Sequence, residues 1–213
     1  PENDVLAIQG VDGGPYAGGV GQYGTLSYNR ETAQYQYTLD AAKTNSLRPG
    51  QSLQDLFIYK VSDGLNPAID TAVVILIQGS NDAPVVTGSY SSTLNDTDTV
   101  AADSFSLLSG QVSASDPEGD SFSFTLNGGT LSSGQWVKQG TYGTLTLTTS
   151  GQYSYQANAA AVEALAQGEQ RLDTFTVRTV DAFGAWVEVP VTITVNGAND
   201  PASMAAISPV STN

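Results

Sequence analysis

The sequence Gly-Ser-Asn-Asp-Ala-Pro at residues 79–84 recurs 118 positions later as Gly-Ala-Asn-Asp-Pro at residues 197–201. Each copy follows an apolar run with the character of a β-strand, at residues 72–78 and 187–196. Such a cluster ends a strand, because proline lacks the N–H that a sheet needs and glycine is entropically costly to order. We interpret the two copies as joints, which predicts one domain over residues 1–82, a second over 83–200 and the start of a third over 201–213.

The composition excludes several classes of protein. With 21 acidic and 7 basic residues and a net charge of −14, the chain lacks the basic surface that nucleic-acid binding needs. It has no Cys and no His, which excludes disulfides, Cys/His zinc sites and His-based catalytic triads. No apolar run is long enough to span a membrane. Because the chain starts at Pro1 and carries no signal peptide, we expect it to be a piece of a longer protein.

The acidic residues are concentrated in loops rich in Asp and Asn. Carboxylate and amide oxygens are the ligands that hard cations such as Ca²⁺ prefer. The joints are therefore predicted to be rigidified by calcium.

Alternation of apolar and polar residues predicts a chain built mainly of β-strands. Residues 145–148, 153–155, 175–177 and 191–195 alternate with a period of two, as in sheets with one face in a core. The helical candidates are residues 157–167 and their counterpart 39–46, each followed by a turn at a glycine. Short strands separated by such turns indicate a β-sandwich.

The repeat extends over most of the chain, so the two domains are predicted to be copies of one module. Tyr-Gly-Thr-Leu at residues 23–26 recurs at 142–145, and Tyr-x-Tyr at 35–37 recurs at 153–155. From Tyr35 onward the offset is constant at 118, and single residues repeat at it, namely Gly50 and Gly168, Asp55 and Asp173, Phe57 and Phe175, and Asp63 and Asp181.

This ordered series resembles the VCBS repeat and is similar to the cadherin-like and Ig-like extender modules of large bacterial RTX adhesins. The resemblance spans nearly the whole chain, although the second copy has Val-Asp-Ala-Phe-Gly at residues 180–184 in place of the usual Ser-Asp-Gly turn. It implies tandem all-β modules of the Ig-like or cadherin-like Greek-key sandwich type, secreted to the bacterial cell surface, with calcium at the joints.

The first copy is predicted to lack its two N-terminal strands. Pro1 aligns with Pro117, so nothing in the first copy corresponds to residues 83–116. Three explanations stand side by side: a cut within the domain, proteolysis with the missing strands supplied by a neighbour, or a split domain with a ligand-binding domain inserted upstream of Pro1. Residues 202–213 align with the first strand of a further module, and could add to an open edge of another molecule as a swapped strand.

The topology of such a sandwich predicts one calcium site at the joint between the modules. The entering linker, the loop between the second and third strands and the last hairpin all meet at one pole. The preceding module contributes the start of its penultimate strand. The predicted ligands are Asp55, Asn81, Asp82, Asp116, Glu118, Asp120 and Asp181. Asp116, Asp120 and Asp82 are the preferred members, and Glu118 is the one expected to face solvent.

Equivalent sites are predicted at the two outer poles. Glu2, Asp4 and Asp63 belong to the first module's near pole, and Asp173, Asn199 and Asp200 to the joint with the next module. Residues 95–98, Asn-Asp-Thr-Asp, fit a polar loop better than a site. The alternative for each of these residues is an ordinary turn, since Asp and Asn form local hydrogen bonds there.

These features favour a non-enzymatic extender segment, stiffened by calcium, in a surface adhesin that serves cell adhesion and biofilm formation. Its partners would be the neighbouring modules of the same long chain. The alternatives are a carbohydrate- or peptide-binding module, which an exposed Trp136 or Trp186 beside a carboxylate pair would favour, and an accessory module of a secreted hydrolase. A catalytic site within the chain is not expected, because no pair of carboxylates in a cleft is indicated.

Overall fold

Residues 7–11, 18–29, 34–97 and 104–200 are described by the computed structural model, in which the chain forms two compact units. The first consists of residues 1–82 with residues 117–119, and the second of residues 83–116 with residues 120–213. The predicted domain boundaries themselves stay a prediction, as do the statements on Glu2, Asp4 and residues 201–213, which lie outside the described residues. No helix among the described residues is long and apolar enough to cross a membrane.

The described residues of the first unit form six strands and one short helix. In chain order these are β1 (Ala7–Val11), β2 (Gly18–Val20), β3 (Gly24–Asn29), β4 (Gln34–Leu39), α1 (Ala41–Thr44), β5 (Ser52–Ser62) and β6 (Ile69–Gln78). They form two antiparallel sheets with the strand orders β1-β5-β6 and β2-β3-β4. The buried core described for this unit is small and centres on Leu26 and Phe57, which are 1% and 2% exposed.

Eleven strands and one short helix are formed by the part of the second unit that the structure describes. These are β7 (Val85–Val86), β8 (Tyr90–Asn95), β9 (Leu108–Gln111), β10 (Ala114–Ser115), β11 (Phe122–Leu126), β12 (Thr130–Ser132), β13 (Gln135–Gln139), β14 (Gly143–Thr148), β15 (Gln152–Ala157), α2 (Ala159–Val162), β16 (Gln170–Asp181) and β17 (Trp186–Asn196). One sheet has the order β11-β16-β17-β8 and the other β12-β13-β14-β15-β9, while β7 pairs with β10.

The two large sheets of the second unit bury their apolar residues between them, which confirms the predicted all-β sandwich. Along β16, buried Asp173, Phe175 and Val177 alternate with more exposed neighbours. Residues of β8, β11, β14, β15 and β17 complete the same core. Most strand pairs are antiparallel, but β8 runs parallel to β17, with Asn95 opposite Asn196.

The two helical segments are shorter than the sequence predicts. Each is a single turn between two strands, and each is followed by a glycine with positive φ, Gly50 at +83° and Gly168 at +81°. A helix this short is not stable alone. The turn at α2 is held by packing instead, because Val162 is fully buried and Leu165 nearly so.

Candidate metal sites

One acidic cluster in the second unit joins three segments that are distant in sequence. Asp96 follows β8, Glu163 ends α2, and Asp200 lies in the segment that leaves β17. One carboxylate oxygen from each lies within 4.8 Å of the others. Asp96 is 8% exposed, so at least one of these charges is removed from water.

Hydrogen bonds along the parallel strands position this cluster. The N–H of Asp96 donates to the carbonyl of Asn196 at 2.9 Å, which extends the β8–β17 ladder by one residue. The carboxylate of Asp96 accepts from the N–H of Thr97 at 3.0 Å and from the N–H of Ala198 at 3.3 Å. The segment after β17 is thereby attached to the end of β8.

Tight packing fixes the same segment against the turn after α2. The N–H of Gly197 donates to the carbonyl of Glu169 at 2.9 Å, and a Cβ at Gly197 would lie 2.5 Å from Cβ of Leu165. Only glycine allows this close approach. The glycine of the joint sequence is therefore required by packing as well as by the turn within this unit.

The chemistry of the cluster suits a divalent cation with oxygen ligands. Three carboxylates this close repel one another strongly unless a cation or protons neutralise them. Oδ1 of Asp200 is buried and has no hydrogen-bond partner among the described residues, which is a position that an ion could fill. Asp96, Glu163 and Asp200 are therefore candidate calcium ligands.

A second acidic cluster lies within one short loop, between β10 and β11. One carboxylate oxygen each of Asp116, Glu118 and Asp120 lies within 4.8 Å of the other two. The N–H of Asp120 donates to Oδ1 of Asp116 at 3.0 Å, and Gly119 turns the chain with φ of +73°. Glu118 is 7% exposed, so the expectation that it faces solvent is wrong.

Sequence reasoning missed two members of the first cluster. The sequence pattern predicts a helix at Glu163 and a polar loop at Asp96. Their proximity follows from the parallel pairing of β8 with β17, which joins residues 101 positions apart. An indirect signal existed, since Glu163 aligns with Asn45 in the first copy, so the two copies differ in charge there.

Asp55 and Asp173 have another role in the structure. Asp173 is 4% exposed and accepts from the N–H groups of Thr141 and Tyr142, at 2.8 and 2.9 Å, and from the hydroxyl of Tyr155 at 2.7 Å. Neither aspartate belongs to an acidic cluster among the described residues. Donors already surround the carboxylate of Asp173, so we assign it to the core rather than to a metal.

The same arrangement recurs in the first unit. Asp55 is 2% exposed and accepts from the N–H of Gln22 at 2.8 Å, from the N–H of Tyr23 and from the hydroxyl of Tyr37 at 2.6 Å. Burial acts to raise the pKa of Asp55, but these hydrogen bonds outweigh it and lower the pKa. The pKa of Tyr155 is raised by burial and by its bond to Asp173.

Asp63 and Asp181 stabilise hairpin turns. Asp181 is 7% exposed, and its Oδ1 accepts from the N–H groups of Phe183 and Ala185 at 2.8 and 2.9 Å. Oδ1 of Asp63 accepts from the N–H groups of Leu65 and Asn66. Both match the turn interpretation, since the side-chain oxygen of an Asp or Asn at the first position of an Asx turn accepts from the backbone N–H two residues later.

The hydrogen bonds in the turn at Asp63 predict a low pKa for its carboxyl group. The N–H of Asn66, its side-chain amide and the N–H of Leu65 lower the pKa of Asp63 to about 2. A lowered pKa means that the carboxylate stabilises the hairpin above pH ~4 and that this contribution is lost as the pH falls toward 2. NMR titration of the Asp63 carboxyl carbon should give a midpoint near 2, and Asn66→Ala should move it upward. A midpoint near 4 in the unmodified chain would contradict the turn.

The remaining predicted ligands lie in the two joint sequences, at residues 79–84 and 197–201. Asn81 is half-buried, while Asp82 and Asn199 are exposed, and none of them belongs to an acidic cluster among the described residues. The predicted convergence of seven residues on one joint includes residues of both units, and it stays a prediction.

The two tryptophans differ in exposure. Trp136 packs against the core of the second unit. Trp186 is 51% exposed, with the guanidinium of Arg178 4.2 Å from its ring centre and Glu188 bonded to Arg178 at 2.8 Å. One face of Trp186 is thus used within the protein, and the guanidinium that covers it is paired with the carboxylate of Glu188.

Comparison with known proteins identifies the type of domain. A family model for the bacterial cadherin-like domain matches residues 81–197. No match was found among curated proteins.

Solved structures with a similar chain path are cadherin ectodomains. Protocadherin gamma B2 extracellular cadherin domains 3–6 are 15% identical over 91% of this chain and 41% of theirs, with a TM-score of 0.36. Protocadherin gamma C5 EC1–3 is 14% identical over 85% of this chain and 55% of its own, with a TM-score of 0.39. The human desmocollin-1 ectodomain is 14% identical over 92% and 33%, with a TM-score of 0.33. The chain spans about a third to just over half of the length of these structures.

Proposed function

Because this chain belongs to the bacterial cadherin-like domain family, we propose that it is a non-enzymatic, calcium-rigidified extender segment of a secreted bacterial surface adhesin of the RTX type. Cadherin-like domains typically bind calcium. The observation that carries the proposal is the cluster of Asp96, Glu163 and Asp200, which joins the start of a module to the segment that leaves it.

The cluster supports a mechanical role through the segments that it connects. Asp200 lies after the last strand, while Asp96 and Glu163 belong to the body of the module. Bound Ca²⁺ would supply positive charge and ligand bonds shared by all three carboxylates. The carboxylate of Asp200 would then hold the departing segment to the body of the module, and a joint that would otherwise act as a hinge becomes stiff.

Removal of the ion has the opposite consequence. Three like charges within 4.8 Å then favour separation of the segments that carry them. Repeated along an array, this coupling makes the length and stiffness of the rod depend on extracellular calcium. The loop with Asp116, Glu118 and Asp120 is a candidate for a second ion.

The proposal predicts calcium binding with a rise in stability. An ion that binds only the folded state adds about 2.7 kcal/mol at a concentration of 100 Kd. Isothermal titration calorimetry should detect Ca²⁺ binding, and thermal unfolding should move up by several degrees relative to chelator. Small-angle scattering should show a narrower distribution of lengths with Ca²⁺. A chain with no binding heat and identical melting in chelator and Ca²⁺ would refute the calcium-stiffened extender.

A further inference from the structure

A groove of about 500 Å³ lies on the outer face of the five-stranded sheet of the second unit. It crosses β9, β15, β14 and β13, which are consecutive neighbours in that sheet. Its volume is typical of pockets that bind small ligands. The side chains that line it include those of Gln111, Gln135, Thr146, Thr148, Gln152 and Ser154.

The alternation of the strands determines which side chains reach this groove. Leu145 and Leu147 of β14 are 0% exposed in the core, so Thr146 and Thr148 face outward. The register places Thr146 opposite Ser154 of β15, where buried and more exposed residues alternate in the same way. Opposite residues in a sheet have Cβ atoms about 5 Å apart. Hydroxyl groups of adjacent strands therefore stand side by side along the groove.

The groove lies on a surface without charge. Along β13, β14 and β15, all of which the structure describes, every outward position is Gln, Thr, Ser or Val, although the chain has a net charge of −14. The opposite sheet differs, since its outer face carries Arg178, Glu188 and Trp186. A charged ligand finds no counter-charge on β13–β15, whereas hydroxyl and amide groups can both donate and accept hydrogen bonds.

Two of the lining side chains are already held in place by hydrogen bonds. Nε2 of Gln111 donates to the carbonyls of Val112 and Ser150, both at 2.8 Å, so its Oε1 is the atom left to accept from a ligand. Oγ1 of Thr148 accepts from the N–H of Gln152 at 3.0 Å. Polar groups that are fixed before binding lose less entropy when a ligand arrives.

We propose that this groove binds a neutral glycan chain. The hydroxyls of a sugar donate and accept hydrogen bonds at close spacing, as the Gln, Thr and Ser side chains of the groove do. An extended peptide fits less well, because β13, β14 and β15 are each paired on both sides and offer no free edge for strand addition. No carboxylate faces outward on these three described strands, so the glycan is bound without hydrolysis.

The first unit has the same chemistry on its equivalent strands, β3 and β4. Their outward residues are also uncharged and polar, namely Thr25, Ser27, Asn29, Gln34, Gln36 and Thr38. A glycan of repeating units therefore meets similar chemistry in each module. Binding by two modules raises the affinity above that of one groove, provided that both reach the same glycan.

NMR titration of the whole chain tests the proposal, because the side-chain amides of glutamine give their own signals. Neutral hydrogen bonds contribute little each, so a single groove is expected to bind with a Kd on the order of 1 mM. At least one of three neutral probes, cellotetraose, maltotetraose and isomaltotetraose, should shift the amide signals of Gln111, Gln135 and Gln152. Tetragalacturonate, an acidic probe, should not. The proposal is overturned if no neutral probe shifts these signals at millimolar concentration, or if the acidic probe shifts them equally.

A matched pair of double variants locates the binding. Gln135→Ala with Gln152→Ala removes two amides that line the groove and should weaken binding about tenfold. Gln139→Ala with Gln156→Ala removes two amides from the same strands and face, about 13 Å further along and outside the groove, and should leave the affinity unchanged. All four glutamines are exposed, so both variants should fold, which circular dichroism would verify.

Equal affinities of the two double variants would place the binding elsewhere and overturn the proposal. The residues that line the groove belong to neither acidic cluster. The inference therefore does not depend on the proposed function, and a chain that failed to bind calcium would leave it standing.

Discussion

Glu163→Gln is expected to lower the affinity for Ca²⁺ at least tenfold and to remove most of the calcium-dependent stabilisation of the second unit. The substitution keeps the size of the side chain and its C-cap position on α2, but it removes one of three negative charges within 4.8 Å. With an effective dielectric constant of about 20, each pair of unit charges ~4 Å apart interacts with an energy of ~4 kcal/mol. A tenfold change in calcium affinity corresponds to only about 1.4 kcal/mol, which is less than one such interaction.

Calorimetry and thermal unfolding in Ca²⁺ and in chelator would measure this effect. Asp70→Asn is the matched control, because it also removes one negative charge but lies in an exposed ion pair with Lys60, outside both clusters. Calcium affinity should be unchanged in the control. In chelator, Glu163→Gln should melt at or above the unmodified chain, since it relieves repulsion. Equal calcium affinities for both variants would exclude Glu163 as a ligand.

Asp173→Ala is expected to destabilise the second unit by several kcal/mol, whether calcium is present or not. The substitution leaves two backbone N–H groups, of Thr141 and Tyr142, and the hydroxyl of Tyr155 without their acceptor. Each buried donor that loses its partner costs about 1–3 kcal/mol. Tyr155 is fully buried, so water cannot replace the carboxylate without disturbing the core.

Urea unfolding followed by circular dichroism would measure this loss. Thr174→Ala, the exposed neighbour on the same strand, should stay within about 0.5 kcal/mol of the unmodified chain. The calcium affinity of the folded fraction should be unchanged in Asp173→Ala, because its carboxylate belongs to the core. A variant that keeps its stability but loses calcium binding would instead restore Asp173 as a metal ligand.

The repeated Tyr–Asp pair shows that an aspartate can recur in tandem modules for a structural reason. Asp55 and Asp173 recur at one offset, as calcium ligands of tandem modules would. Their tyrosine partners, Tyr37 and Tyr155, recur at the same offset, and the sequence contains no sign that the two residues of each pair meet. The repetition therefore reflects a structural requirement of each module.

The two acidic clusters differ in how far apart their members lie in the sequence. The cluster of Asp116, Glu118 and Asp120 comes from one five-residue loop, so spacing alone indicated it. The cluster of Asp96, Glu163 and Asp200 required the strand order of the folded unit. Propensity placed Glu163 in a helix, and the single turn of α2 places it at the end, where its side chain can meet the departing segment.

The sequence by itself determined the all-β class and the internal repeat, because alternation, turn residues and a constant offset are local or periodic signals. The tertiary structure decided which carboxylates meet. The parallel pairing of β8 with β17 brings Asp96 to Asp200, whereas backbone N–H groups and tyrosine hydroxyls bind Asp55 and Asp173 in the core. The physical reason is that a carboxylate's role depends on the donors and charges around it, which distant segments of the chain supply.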